Sequence, residues 1–340
     1  RLWPMGARVH WVTRRQMLGV GIGAAASAIL AACGSGRPDP SALTVDASSA
    51  IEGGATSTTP PTSLMQTAVD QAVAEQAAAE QAALEQTALD QAASASGAAV
   101  DPAAVANAHD GLVPAQWGLE VDGVHTQLVD AGSLFAPTAA LTFDACGGPG
   151  GSGVDEDLLT VLVDSGVAAT LFLNLRWIEA NRAVAERLAA NPLFELGNHG
   201  SRHLPLSVNG RSAYGIAGTR SAAEAADEVW ANHEALTALT GSPPRWFRAG
   251  TAHYDEVATS IAVQLGEQPV GFTTNADMGA TASAGQVTAE LMSVPAGGIV
   301  IAHMNQPGSG TAAGVASAVG SLRTAGTRWV TLSGGGGTRR

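Results

Sequence analysis

From about residue 112 onward, short apolar runs alternate with longer stretches of mixed polarity, and the residues before them lack this alternation. The runs at 137–144, 167–174, 193–197, 245–249, 269–275, 298–303 and 328–332 favour β-branched and apolar residues and are predicted strands. The stretches 155–165, 176–190, 220–240, 253–265, 284–292 and 311–324 are predicted helices. Asp155 is placed to cap the first of these and Gly166 to stop it. Strands alternating with helices predict an α/β fold whose parallel sheet is buried on both faces. Seven strands predict a distorted (β/α) barrel, although pattern alone does not say whether it closes. A domain over 112–334 follows, with a short tail at 335–340.

The polar residues that interrupt this pattern cluster at one end of it. Asp144, His199, His203, Arg248, Asp277 and His303 fall at the carboxyl ends of predicted strands. In barrels of this class that end carries the chemistry, because the loops leaving the strands meet there over a rigid core.

The first third has a different texture. Residues 1–32 hold Arg1, Arg8, Arg14 and Arg15 and no acid. Thr13-Arg14-Arg15-Gln16-Met17-Leu18 has the form of a twin-arginine export signal. The apolar run that follows is short and rich in small residues, and it ends in Leu30-Ala31-Ala32-Cys33-Gly34, which resembles a lipobox. Residues 1–33 therefore predict an exported lipoprotein acylated at Cys33; an uncleaved apolar anchor is the alternative, and both place the chain outside the cytoplasm. Residues 34–62 are poor in apolar side chains and predict a flexible tether. Over 63–95, Gln recurs at 66, 71, 76, 81, 86 and 91 in an Ala-rich background. A period of five leaves no fixed apolar stripe on a helix, so this segment predicts a solvated helical stalk, with a weak coiled coil as the alternative. Residues 96–111 are predicted to be a linker.

Charge narrows the function. The net charge is −13, and all 17 basic residues are Arg. A chain this acidic is poorly suited to neutralising phosphates, so nucleic acid is not an expected partner. Of the 2 cysteines, Cys33 is assigned to lipid, which leaves Cys146 without a disulfide partner.

Each chemical signal is weak alone. His199 and His203 are four apart, and on one helical turn both imidazoles would reach one cation. Asp144 ends an apolar strand and precedes a glycine-rich turn, which suits either an exposed carboxylate or a turn cap. Arg248 could hold a carboxylate and keep it ionised, or form a surface ion pair. His303 ends the strand Ile299-Val300-Ile301-Ala302, and imidazole suits proton donation near neutrality. Asp277 is placed to orient that ring.

The order of these signals resembles a known family. LTFDACGGPG at 141–150, GNHGSRH at 197–203, FRAGTAHYD at 247–255, NADMGA at 275–280 and GIVIAHM at 298–304 are similar to the five motifs of the polysaccharide deacetylases, carbohydrate esterase family 4. The resemblance spans 137–332. It implies a distorted barrel that removes N-acetyl groups from a glycan with a divalent metal, commonly zinc. It implies that His199 and His203 bind the metal, that Asp144 is the general base held by Arg248, that His303 is the acid positioned by Asp277, and that Ile301 lines the acetyl pocket. The chain departs from the family at Ala145, where a second, metal-binding acid is usual, and after Arg248, where Ala249-Gly250 replaces the usual Pro and aromatic. The third ligand is thereby left open between Asp144 and Cys146, with Asp155 and Asp157 as further candidates. His253 is either a substrate contact or a surface residue. The expected function is a lipid-anchored deacetylase of an envelope glycan such as peptidoglycan. The alternatives are a non-catalytic glycan-binding lipoprotein and a hydrolase of another amide or ester.

Overall fold

The computed structural model describes residues 100–128 and 138–334. The signal at 1–33 with Cys33, the tether at 34–62, the stalk at 63–95 and the tail at 335–340 lie outside the described residues. No helix among the described residues is long and apolar enough to cross a membrane.

A parallel sheet organises the domain. In chain order its strands are β1 (Thr138–Ala145), β2 (Ala169–Leu173), β3 (Phe194–Asn198), β6 (Trp246–Phe247), β7 (Gln268–Pro269), β8 (Thr274–Asn275), β9 (Ile299–His303) and β10 (Arg328–Val330). The numbers β4 (Ser212–Ala213) and β5 (Ile216–Ala217) belong to a separate antiparallel hairpin. The sheet runs β7-β6-β3-β2-β1-β9-β8, with β10 beside the start of β1. Ala140 pairs with both Val330 and Ile299, so β10 lies on the β2 side of β1. All eight residues of β1 are buried, as expected for the centre of a parallel sheet covered on both faces.

The predicted single strand at 269–275 is two strands in the structure, and the difference is what curls the sheet. Its start, β7, pairs with β6 at one edge, and its end, β8, pairs with β9 at the other. One stretch of chain thus joins the two edges of a distorted (β/α) barrel. His125 pairs with Val270 and Gln127 with Gly298, so an extended segment fills the remaining gap.

The helices are α1 (Pro102–Ala108), α2 (Glu156–Asp164), α3 (Leu175–Ala180), α4 (Arg182–Ala189), α5 (Ala222–Thr240), α6 (Glu256–Gln264), α7 (Ala284–Met292) and α8 (Thr311–Thr324). Asp155 caps α2 through Leu158 N–H, as expected. Two sequence expectations are corrected. The helix at 176–190 breaks at Asn181, whose side-chain amide donates to the Ser152 and Trp177 carbonyls. Residues 102–108, within the predicted linker, form α1, capped by Asp101 and packed by Ala106 against the core under α5 and α6. The short apolar face of α1 is too brief to stand out by periodicity.

Strand parity sorts the core. Ala139, Leu141, Phe143 and Ala145 of β1 face the outer helices, with Leu171 of β2 and Val300 of β9. Ala140, Phe172, Trp246 and Ile299 fill the inside of the barrel with Val270 and Leu332. The same parity turns Thr142 and Asp144 inward.

Candidate active site

Asp144, His303, Phe172 and Gly197 lie at one level of the sheet, since Asp144 pairs with His303 and with Phe172, and Phe172 pairs with Gly197. A side chain at Gly197 would stand 2.6 Å from the Phe172 ring. Its absence lets that ring lie across β3, and the Arg248 guanidinium stacks 4.2 Å from the ring centroid. Arg248 is fully buried. Its Nη1 donates to Asp144 Oδ1 at 2.8 Å and to Thr142 Oγ1 at 2.7 Å, and its Nη2 donates to the Gly271 carbonyl at 3.0 Å. Burial raises the Asp144 carboxyl, but Arg248, then His199 and His303, outweigh it and hold the group below its ordinary value.

The histidine pair meets by a different route from the one the spacing suggests. His199 to His203 is a loop after β3, not a helical turn, and Gly200 and His203 have φ of 74° and 63°. The two rings meet edge to face with centroids 4.8 Å apart. Polar side chains clamp this loop from beneath. Glu228 of α5 accepts hydrogen bonds from Ser201 Oγ and from the backbone N–H groups of Arg202 and Leu204. Asn174 donates to the carbonyls of His199 and Gly200, and Asn198 accepts from Gly200 N–H. Asn232 in turn donates to Asn198. On the other side Gly250 lies so close that a Cβ would stand 2.3 Å from the His203 carbonyl carbon.

Cys146, His199 and His203 form a cluster whose donor atoms all lie within 4.8 Å of one another. His199 Nδ1 is 2.8 Å from the Arg248 carbonyl oxygen, which makes Nδ1 the protonated nitrogen and turns Nε2 toward the cluster as a lone pair. The Cys146 sulfur is 3.9 Å from that Nε2, and Asp144 Oδ2 is 3.6 Å from it. His203 Nε2 is buried without a hydrogen-bond partner. Burial opposes ionisation of Cys146, yet the imidazoles of His199, His203 and His303 hold its thiol well below the ordinary value. An orphaned ring nitrogen on His203, a ring held in orientation at His199 and a thiol whose ionisation is eased make a donor set that fits a divalent metal. Asp144 is outside this cluster, which favours Cys146 over Asp144 as third ligand. Asp155 caps α2 and Asp157 lies on the exposed side of that helix, so neither joins the cluster.

His303 stands opposite. Its Nδ1 donates to Asp277 Oδ1 at 2.9 Å and its backbone N–H to Asp277 Oδ2 at 2.7 Å. Thr311 Oγ1 donates to the same carboxylate. Burial lowers the His303 imidazole, but Asp277 and Cys146 outweigh it and push it well above its ordinary value. Ile301 is buried on β9, two residues before His303. His253 hydrogen-bonds to none of these groups; its Nδ1 donates to the Thr251 carbonyl, and its ring has Trp117 and Tyr214 beside it.

Glu228, Asn174, Asn198 and Asn232 were not singled out as functional residues in the sequence. The signal for Glu228 and Asn232 was present: both occupy positions of α5 on the face that also buries Ala225, Val229 and Leu236. A cavity of about 370 Å³ opens at the amino ends of the strands, lined by Arg245, Trp246 and Arg328 among others, and none of the candidate site residues lines it.

The polysaccharide deacetylase family model matches residues 132–270. No curated protein matches the chain. Among solved structures, a CE4 family pseudoenzyme from Bacillus anthracis is similar at 20% identity and a TM-score of 0.50, covering 61% of this chain and 67% of that one. A mutant of that pseudoenzyme with restored enzymatic activity is similar at 22% identity and a TM-score of 0.50, covering 61% and 70%. At this identity the likeness concerns the fold.

Proposed function

We propose that the chain is a member of the polysaccharide deacetylase family and a metal-dependent hydrolase that removes N-acetyl groups from an envelope glycan such as peptidoglycan. One observation carries this reading: a buried Arg-held carboxylate, an Asp-held imidazole and a Cys-His-His donor cluster converge at the carboxyl end of one barrel. A thiolate with two imidazoles suits zinc better than the harder magnesium or calcium. Bound there, the metal would lower the pKa of water and polarise the acetyl carbonyl.

The chain's own groups divide the remaining work. With Oδ1 engaged by Arg248, Asp144 presents Oδ2 as the acceptor for the proton of the attacking water. Arg248 keeps that carboxylate ionised and fixed. His303, kept protonated beside Asp277, delivers a proton from Nε2 to the departing sugar nitrogen. Ile301 gives the acetyl methyl an apolar wall. The export signal and Cys33 support a location outside the cytoplasm, with a lipid anchor in the membrane and the domain reaching an envelope glycan.

Acetate release from peptidoglycan and from chitooligosaccharides by the zinc-loaded full chain, with and without chelator, tests the reading. Acetate that disappears with chelator is the expected result. A folded, zinc-free preparation that binds glycan and releases no acetate would instead support the non-catalytic glycan-binding lipoprotein, for which Ala145 in place of a second acid is the favouring observation.

A further inference from the structure

The β4–β5 hairpin turns through Tyr214 and Gly215, with φ of 53° and 78°. Both central residues of such a turn need positive φ, a demand normally met by Asn or Gly. A tyrosine there is sterically disfavoured and is held in place by no burial, since 70% of it is exposed. Strained positions of this kind gather at sites of function.

What surrounds Tyr214 gives it a purpose. Its ring stands edge to face with His253 at 5.1 Å, and His253 lies 5.9 Å from Trp117. The Arg211 guanidinium sits 5.5 Å from the Trp117 ring centroid. His253 Nδ1 is engaged with the Thr251 carbonyl, so Nε2 is an acceptor, and it makes no hydrogen bond among the described residues. Aromatic faces beside an open acceptor and a guanidinium match a pyranose ring, which has an apolar C–H face and a rim of hydroxyl groups.

The cluster is also continuous with the candidate active site. Tyr254 and Gly118 exchange two backbone hydrogen bonds, which docks Trp117 beside His253. Leu206 N–H donates to the His253 carbonyl, and Leu206 ends the short run leading out of His203. Gly250, two residues from Arg248, abuts the His203 backbone.

We propose that Tyr214, Trp117, His253 and Arg211 form a sugar-stacking subsite that holds a glycan ring next to the one presented to the Cys146-His199-His203 cluster. This rests on the glycan reading above. The protein then selects oligosaccharides over single sugars, because only a chain reaches both places at once.

Calorimetric binding of chitotetraose and of N-acetylglucosamine to the zinc-loaded full chain tests this, using the wild type, Tyr214→Ala and Tyr214→Phe. The expected result is chitotetraose binding about tenfold weaker in Tyr214→Ala, the loss of one aromatic contact, with Tyr214→Phe near wild type. Binding of N-acetylglucosamine and zinc content stay unchanged. Equal chitotetraose affinity in Tyr214→Ala overturns the subsite, as does a wild type that binds no chitotetraose. Acetate release measured alongside separates the two readings. Acetate without Tyr214 dependence leaves the hydrolase standing and removes the subsite. Tyr214-dependent binding without acetate does the reverse.

Discussion

Arg248, just past the end of β6, donates across 2.8 Å to Asp144 of β1, where both side chains are buried and 104 residues apart in the chain. Thr142 and Gly271 accept further hydrogen bonds from the two guanidinium Nη groups, while the buried Nε has no partner. Removing one partner leaves an uncompensated carboxylate rather than merely a lost contact. Arg248→Met is therefore expected to cost about 3–5 kcal/mol of stability. Urea unfolding of the variant checks this, and a loss under about 1 kcal/mol, the range of exposed pairs, would show that water reaches Asp144.

Cys146 stands where its thiolate can complete a three-ligand site that Ala145 cannot. Cys146→Ser should purify without stoichiometric zinc. In the cobalt-substituted wild type a near-ultraviolet sulfur-to-metal charge-transfer band should be present, and the variant should lack it. A cobalt site without that band in the wild type would place the sulfur outside the coordination sphere.

Glu228 touches no candidate ligand, yet it holds the loop that carries His203. Glu228→Gln replaces one of its acceptor oxygens with a donor, and the loop loses part of its anchorage. Zinc affinity is expected to fall roughly 10–100-fold, as for other groups that orient metal ligands, with the far-ultraviolet circular dichroism unchanged. Competition with a chromophoric chelator measures this; unaltered affinity would assign Glu228 to folding alone.

Glu267 links stability to pH. It is fully buried, its Oε1 accepts from Asn198 and His233, and its Oε2 has no partner. Burial pushes its carboxyl from 4.5 up to about 7. A raised carboxyl binds its proton more tightly in the folded state. The stability it contributes is fully present below pH 4.5 and is lost as pH rises to about 7. The difference between wild type and Glu267→Gln should change by on the order of 3 kcal/mol across that window, in the sense that the variant gains on the wild type as pH rises. Parallel stability curves would mean that Glu267 ionises freely beside His233.

Much of this was legible beforehand. The apolar run at 137–144 is β1 within one residue, and Asp144 stands near its end, where a strand buried on both faces leaves the sheet and can carry a charge. The Asp277–His303 pair was expected from two separate strand ends, and the fold brings them to 2.9 Å. Other features resisted reading. A period of four between His199 and His203 suggests a helix, but Gly200 and the clamp from Glu228 impose a loop. The run at 269–275 looks like one strand because its apolar content is continuous, and nothing local records that its two ends pair with opposite edges of the sheet.

The sequence by itself determined the alternation of strands and helices, and which polar residues end those strands, because burial on both sheet faces is written into each run residue by residue. Only the tertiary structure decided that Cys146 gathers with the two histidines, that Glu228 braces their loop, and that Trp117, Tyr214 and His253 meet. Those relationships join parts of the chain far apart in order, and they arise when the sheet curls and strand parity turns particular side chains toward one another.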